Sequence, residues 1–148
     1  MNGIQIDKIF KKHAYTKKIF KGVLAFDELP KKIKKPSAYI INTHPRDKKG
    51  EHWLAIFYLE NGNAEFFDSF GLGPIFYGLD QFLIRTSKSC YFNTVALQSL
   101  DSDYCGFYCV LFILFKCLKI SFLNFLNYFD ENTLKNDREI ENLIQQFY

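Results

Sequence analysis

What the chain lacks narrows its chemistry first. No two cysteines stand at Cys-x2-Cys spacing and no histidines are paired, so the donor pattern of a zinc site is missing. The four cysteines among 148 residues show no tight pairing pattern, which excludes a secreted disulfide scaffold and points to a reducing compartment. No repeat, low-complexity tract or Ser/Gly linker interrupts the chain. Residues 1–148 are therefore read as a single domain, a length with room for one core but not two. The first residues, MNGIQIDKIFKK, are too polar for a signal peptide, and Gly3 does not stand where myristoylation requires it. The longest strongly apolar run, Tyr104 to Phe115, is 12 residues long and meets Lys116, well short of the ~20 needed to cross a bilayer. It is read as a helix buried in a core, and neither a membrane location nor secretion is expected. No metal or small-molecule cofactor is expected, and the chain is read as a monomer.

What is present points to a folded body. Apolar residues make up 48% and aromatics 18%, with 17 Phe and 9 Tyr, enough buriable surface to exclude a disordered tail. The net charge of +3 conceals an asymmetry: residues 1–50 carry 13 Lys/Arg against 4 Asp/Glu, and residues 51–148 carry 6 against 12. The basic lobe (Lys11, Lys12, Lys17, Lys18, Lys21, Lys31, Lys32, Lys34, Lys35, Arg46, Lys48, Lys49) could neutralise phosphates. Any DNA contact there would be non-specific, since no base-reading motif accompanies it.

The spacing of Ile6, Ile9 and Phe10 predicts a short first helix. Strand-like runs follow at 38–41, 52–59, 64–67 and 91–97, with a helical turn or two at Leu79, Phe82 and Leu83. The apolar helix is expected over 103–119. An amphipathic last helix is marked by Ile140, Leu143, Ile144 and Phe147, capped by Asn136 or Asp137. Helices flanking a small mixed sheet make an α+β fold.

One turn carries more information. Glu60-Asn61-Gly62 suits a three-residue hairpin loop, a type I turn closed by a left-handed glycine. With Leu59 facing Asn63, Asp68 falls opposite Leu54, and His52 lies two residues along the same sheet face. That diagonal, about 7–8 Å between Cα atoms, allows a His52–Asp68 hydrogen bond. Cys105 opens the apolar helix, where the helix dipole favours a negative sulfur and the first amide has no helical partner. Gly106 beside it lets substrate and backbone approach closely. Gln98, seven residues before the cysteine and at a strand end, can offer a side-chain donor. A cysteine hydrolase needs these four parts: nucleophile, base, a group to orient the base, and oxyanion donors. Taken singly, each residue has a plainer reading: a small buried hydrophobe, a strand-end histidine, a loop-capping aspartate. Order and spacing together carry the reading.

The segments Gly50-Glu51-His52-Trp53-Leu54-Ala55, Phe67-Asp68-Ser69-Phe70-Gly71 and Gln98-Ser99-Leu100-Asp101-Ser102-Asp103-Tyr104-Cys105-Gly106 resemble the adenovirus protease (adenain) and its relatives. That superfamily includes the SUMO-specific Ulp/SENP proteases. Ile40-Ile41-Asn42-Thr43, shortly before the Gly-x-His-Trp element, is adenain-like too, and the resemblance covers roughly residues 30–118. It implies a papain-like α+β fold of the adenain/Ulp type, with the nucleophile at the N-terminus of a buried central helix. His52, Asp68 and Cys105 take the catalytic roles and Gln98 the oxyanion role by that likeness. Trp53 would wall a narrow channel that admits glycine better than bulkier residues. The implied activity is peptide-bond cleavage beside glycine, at Gly-Gly or Gly-x sites of viral or virus-like structural precursors. An activating peptide and DNA would be the cofactors, and the virion and the host nucleus or cytoplasm the location.

Some features depart from the adenoviral pattern. Adenoviral members carry Glu where Asp68 stands, whereas SUMO proteases carry Asp. Only 43 residues follow Cys105, fewer than in the adenoviral enzymes. Cys90 occupies the interval where those enzymes place a cysteine that ties down the peptide cofactor, but its distance to Gln98 does not match. The same catalytic set also serves proteases that deconjugate SUMO or ubiquitin-like proteins and acetyltransferases of the YopJ type. A catalytically inactive DNA-binding relative is the remaining alternative.

Overall fold

The computed structural model describes residues 1–48 and 51–146. Lys49 of the basic lobe, Gly50 of the His-Trp segment and Phe147 of the last helix lie outside the described residues. Five strands form one sheet in chain order: β1 (Phe20–Leu24), β2 (Ser37–Asn42), β3 (Trp53–Tyr58), β4 (Ala64–Phe67) and β5 (Cys90–Phe92). The inner pairs β2–β3 and β3–β4 are antiparallel, and the outer pairs β1–β2 and β4–β5 are parallel.

The hairpin between β3 and β4 has the register its turn predicts. Tyr58 faces Ala64 and Ala55 faces Phe67, the Leu59 amide donates to the Asn63 carbonyl at 2.9 Å, and Gly62 sits at φ +93°. Extending that ladder by one residue puts Asp68 across from Leu54. Alternation then sorts the two sheet faces. Leu54, Ile56 and Tyr58 pack with Ile41, Phe66, Leu79 and Leu83 on one face, under α3 (Asp80–Thr86). Ala55 and Phe57 join Ala38, Ile40 and Phe67 on the other, beneath α4 (Cys105–Cys117).

Helix α4 is apolar all round, and ten of its 13 residues are buried. It is enclosed by the sheet, by Ile6, Ile9 and Phe10 of α1 (Gly3–Lys11), by Phe125 of α5 (Phe122–Asn127) and by Ile140 and Ile144 of α6 (Thr133–Gln145). Each large side chain fully buried there contributes about 1.5–3 kcal/mol, so the cysteine at its first position stands on a rigid base. Among the described residues no helix is long and apolar enough to cross a membrane. The architecture is the α+β class expected, a small mixed sheet flanked by helices with Cys105 at the mouth of the central one.

Several boundaries differ from the sequence reading. The strand expected over 91–97 ends at Phe92 because side chains take over the pairing. Asn93 Nδ2 donates to the Asp68 carbonyl at 2.6 Å, and its Oδ1 accepts the Asp68 amide at 3.1 Å. The last helix begins at Thr133, with Asn132 as its cap, accepting from the Lys135 amide. Asn136 and Asp137, expected to cap it, are instead buried within it. Helix α2 (Ala14–Ile19) and strand β1 were not foreseen. In the basic lobe Arg46 is paired with Glu28 and Lys11 with Asp7, so neither presents an uncompensated charge.

Candidate active site

Four segments meet at one end of the sheet. His52 precedes β3, Asp68 follows β4, Gln98 lies in the segment after β5, and Cys105 opens α4. His52, Trp53, Phe70, Gln98, Ser102 and Cys105 line an open cleft of about 1150 Å³. Residues at the start of α1, around β1 and in the segment after β2 line it too.

His52 Nε2 lies 2.6 Å from Asp68 Oδ1. The aspartate is fully buried and collects three more donors: the Phe70 amide at 3.1 Å, the Leu72 amide at 3.0 Å and the Tyr77 hydroxyl at 2.7 Å. A buried carboxylate is tolerated only when so satisfied. The loop that delivers these donors depends on Gly71, whose φ is +72° and whose added Cβ would lie 2.6 Å from the Val95 carbonyl carbon. The Phe70 ring stacks on the imidazole with centroids 4.8 Å apart, and Tyr77 backs it at 5.9 Å. With Nε2 held by Asp68, Nδ1 is the ring nitrogen left for Cys105, whose sulfur also acts on the charge of the ring. Burial works against a charged imidazole, but the hydrogen bonds and charges of Asp68 and Cys105 outweigh it and raise the His52 pKa from 6.5 to about 9. Burial and the neighbouring Asp68 push the Tyr77 hydroxyl up, so it serves as a neutral donor.

Gln98 is almost fully buried. The Ser69 hydroxyl donates to its Oε1 at 2.6 Å, which fixes the amide's orientation, and Nε2 donates to the Ser102 carbonyl at 2.6 Å. An amide nitrogen carries two hydrogens, so one remains for the cleft. The amides of Leu97 and Gln98 both reach the Ser69 carbonyl, at 2.8 and 3.1 Å. The Cys105 amide has no backbone acceptor among the described residues.

Trp53 lines the cleft, and its Nε1 donates to the Met1 carbonyl at 3.3 Å. Gly106, expected to let substrate approach, lies against that indole. A Cβ there would lie 3.1 Å from Trp53 Cδ1 and 3.3 Å from Met1 Cβ, so this glycine makes room for the tryptophan at the helix mouth. Cys109 donates to the Trp53 carbonyl at 3.3 Å, and burial pushes its thiol well up. Cys90 belongs to β5, away from the residues that line the cleft, and burial raises its thiol to about 11. Among the described residues no group of three or more His, Cys, Asp or Glu side chains is placed to hold a metal ion.

The structure thus brings His52, Asp68, Gln98, Cys105 and Trp53 together, packs Gly106 against Trp53 and leaves Cys90 outside the residues that line the cleft. Ser69, Phe70, Tyr77 and Asn93 were not singled out from sequence. Ser69 and Phe70 lie within the Phe-Asp-Ser-Phe-Gly segment, where a hydroxyl and a ring next to the aspartate were a usable signal. Tyr77 sits in a Gly/Pro-dotted loop that has no periodicity to betray it.

No family model and no curated protein matches the chain. Among solved structures, the ASFV pS273R protease is similar with a TM-score of 0.54 at 18% identity, covering 91% of this chain and 63% of that one. A second crystal structure, of the Se-Met ASFV pS273R protease, gives a TM-score of 0.39 at 22% identity over 70% of this chain and 45% of that one. The chain spans less than two thirds of the length of that protease. At such identities the likeness is one of fold, and the first superposition places nearly the whole chain on a protease scaffold.

Proposed function

We propose that the chain is a cysteine endopeptidase of the adenain type, cleaving beside glycine at Gly-Gly or Gly-x sites in viral or virus-like structural precursors. The observation that carries this reading is one imidazole bonded to a buried carboxylate, on the wall of an open cleft that a cysteine at a helix N-terminus also lines. A histidine kept charged has the proton that the leaving amine later needs. Cys105 adds to the scissile carbonyl, and the oxygen that becomes negative is received by the Cys105 amide and the Gln98 side chain. Collapse breaks the C–N bond, and the leaving amine takes its proton from His52. Water, deprotonated by the now neutral His52, then hydrolyses the thioester and frees the thiolate. Asp68 keeps the ring in line throughout without giving up or taking a proton. Trp53, pinned to the Met1 carbonyl and seated against Gly106, narrows the approach and favours glycine next to the cut. The lysines of the basic lobe are the proposed surface for non-specific DNA, and Cys90 is the residue proposed to meet an activating peptide.

The test is cleavage of a Gly-Gly-containing peptide by the full chain and by Cys105→Ala. Turnover should be abolished in the variant while its circular dichroism is unchanged. Cleavage that survives the substitution refutes the assignment. Labelling of Cys105 by SUMO or ubiquitin vinyl sulfone, without peptide cleavage, would make the enzyme a deconjugase. Acetyl transfer from coenzyme A would make it a transferase.

A further inference from the structure

Gln98 is oriented from one side by Ser69, but its two neighbours in the chain are held from the other side by α6. Asp137 is buried. Its Oδ2 accepts the Ser99 amide at 3.3 Å and the Ser99 hydroxyl at 2.5 Å, and its Oδ1 accepts the Tyr108 hydroxyl at 2.8 Å. Asn136, fully buried, donates from Nδ2 to the Leu97 carbonyl at 3.0 Å, and the Tyr108 oxygen lies 3.2 Å from that same carbonyl. Residues 97 and 99 are therefore both tied to two consecutive polar residues in the buried face of α6. Tyr108 stands one helical turn after Cys105, so the same carboxylate also grips the helix that carries the sulfur. Burying a carboxylate costs several kcal/mol unless donors surround it, and the amphipathic packing of α6 through Ile140 and Ile144 has no need of one.

We infer that Asp137 is a positioning residue for the oxyanion site: it sets the Gln98 amide at the right separation from the Cys105 sulfur by tying the Gln98 segment to α4. It touches neither substrate nor the reacting atoms. The inference rests on the hydrolase reading above. Asp137→Asn keeps the side chain's shape but turns the charge-assisted bonds to Ser99 and Tyr108 into neutral ones, and the Tyr108 hydroxyl must turn to accept from the new amide nitrogen.

The experiment compares the full chain with Asp137→Asn and with the milder Tyr108→Phe, using four measurements. These are steady-state cleavage of the Gly-Gly peptide, inhibition by the matching peptide aldehyde, alkylation of Cys105 by iodoacetamide, and urea unfolding. A misplaced oxyanion donor should lower kcat roughly 10- to 100-fold in Asp137→Asn and roughly 3- to 10-fold in Tyr108→Phe, with KM within about twofold. Aldehyde binding should weaken in step, because its hemithioacetal oxygen uses the same donors. Iodoacetamide alkylation should stay within about twofold, because that reaction develops no oxyanion. Adding Asp137→Asn to Gln98→Ala should cost little more, as expected of a residue that acts through the glutamine.

Alkylation and turnover falling together would overturn the inference and make the network a general clamp on α6. So would unchanged kcat in both variants. If Asp137→Asn does not fold, Tyr108→Phe decides by the same split. A full chain that cleaves nothing, with Cys105 unreactive, overturns the hydrolase reading and this inference together. A full chain that depends on Cys105 leaves Asp137 to be judged alone.

Discussion

Replacing Asp68 by asparagine tests the electrostatics of the site most directly. The rise of the His52 pKa from 6.5 to about 9 corresponds to about 3 kcal/mol in favour of the charged ring, at about 1.4 kcal/mol per tenfold. Because the folded value is the higher one, this stabilisation is fully present below pH 6.5 and is lost as pH rises through 9. In Asp68→Asn the carboxylate's charge is gone, and burial, the largest influence on the ring, then opposes only the sulfur of Cys105. The alkaline limb of kcat/KM should move from near pH 9 toward neutrality by about one unit or more. Stability should fall as well. Four donors converge on the two carboxylate oxygens, and an amide leaves one oxygen for them. Tyr77 can turn its hydroxyl to accept from the new amide nitrogen, but a backbone N–H such as that of Leu72 cannot. One orphaned buried donor together with one lost charge-assisted bond amounts to about 2–4 kcal/mol. Urea unfolding of both proteins at pH 6 and pH 9.5 reads the second effect, and a pH series of peptide cleavage reads the first. An alkaline limb still near pH 9 in the variant, with the same pH-dependent loss of stability as in the parent, would refute Asp68 as the source of the raised pKa.

Three further outcomes are expected. Tyr77→Phe keeps the ring behind His52 but removes the donor to Asp68 Oδ2; kcat should drop roughly 3- to 10-fold with KM unchanged, alongside a loss of about 1 kcal/mol in urea unfolding, and an effect on KM alone would place Tyr77 at substrate instead. Gln98→Ala should lower kcat by about 100-fold with KM little changed, and equal turnover would remove Gln98 from the oxyanion site. Gly71→Ala forces a side chain into a left-handed backbone and against Val95; the backbone conformation alone costs about 1–3 kcal/mol, and an unchanged urea midpoint would show that the loop yields freely.

The parts legible in the sequence were those set by local rules. The Asn61-Gly62 turn fixes a hairpin register, the register places Asp68 near His52, and an uncharged run too short for a bilayer becomes the central helix with Cys105 at its start. Elements whose apolar residues are interrupted by charge escaped notice. Ile19, Phe20 and Val23 pack as α2 and β1, but Lys17, Lys18 and Lys21 among them blur both the 3.6 and the 2.0 periods. The early end of β5 was hidden because Asn93 imitates a strand's backbone with its side chain, which no propensity reports. Asn136 and Asp137 look like cap residues by type, and only the tertiary contacts with Leu97, Ser99 and Tyr108 show why they lie inside the helix. That Gly106 also makes room for the indole of Trp53 could not be read from spacing, because a neighbour's bulk leaves no mark in the local sequence.

Asp68 and Ser69 are adjacent, and in the proposed mechanism each governs a different half of the chemistry. One peptide plane separates the carboxylate that aims the imidazole from the hydroxyl that aims the glutamine amide. In that mechanism the parts that move protons and the parts that calm a nascent anion hang from one dipeptide at the end of a hairpin. A substitution that shifts that dipeptide would misalign both at once, without ever approaching the sulfur.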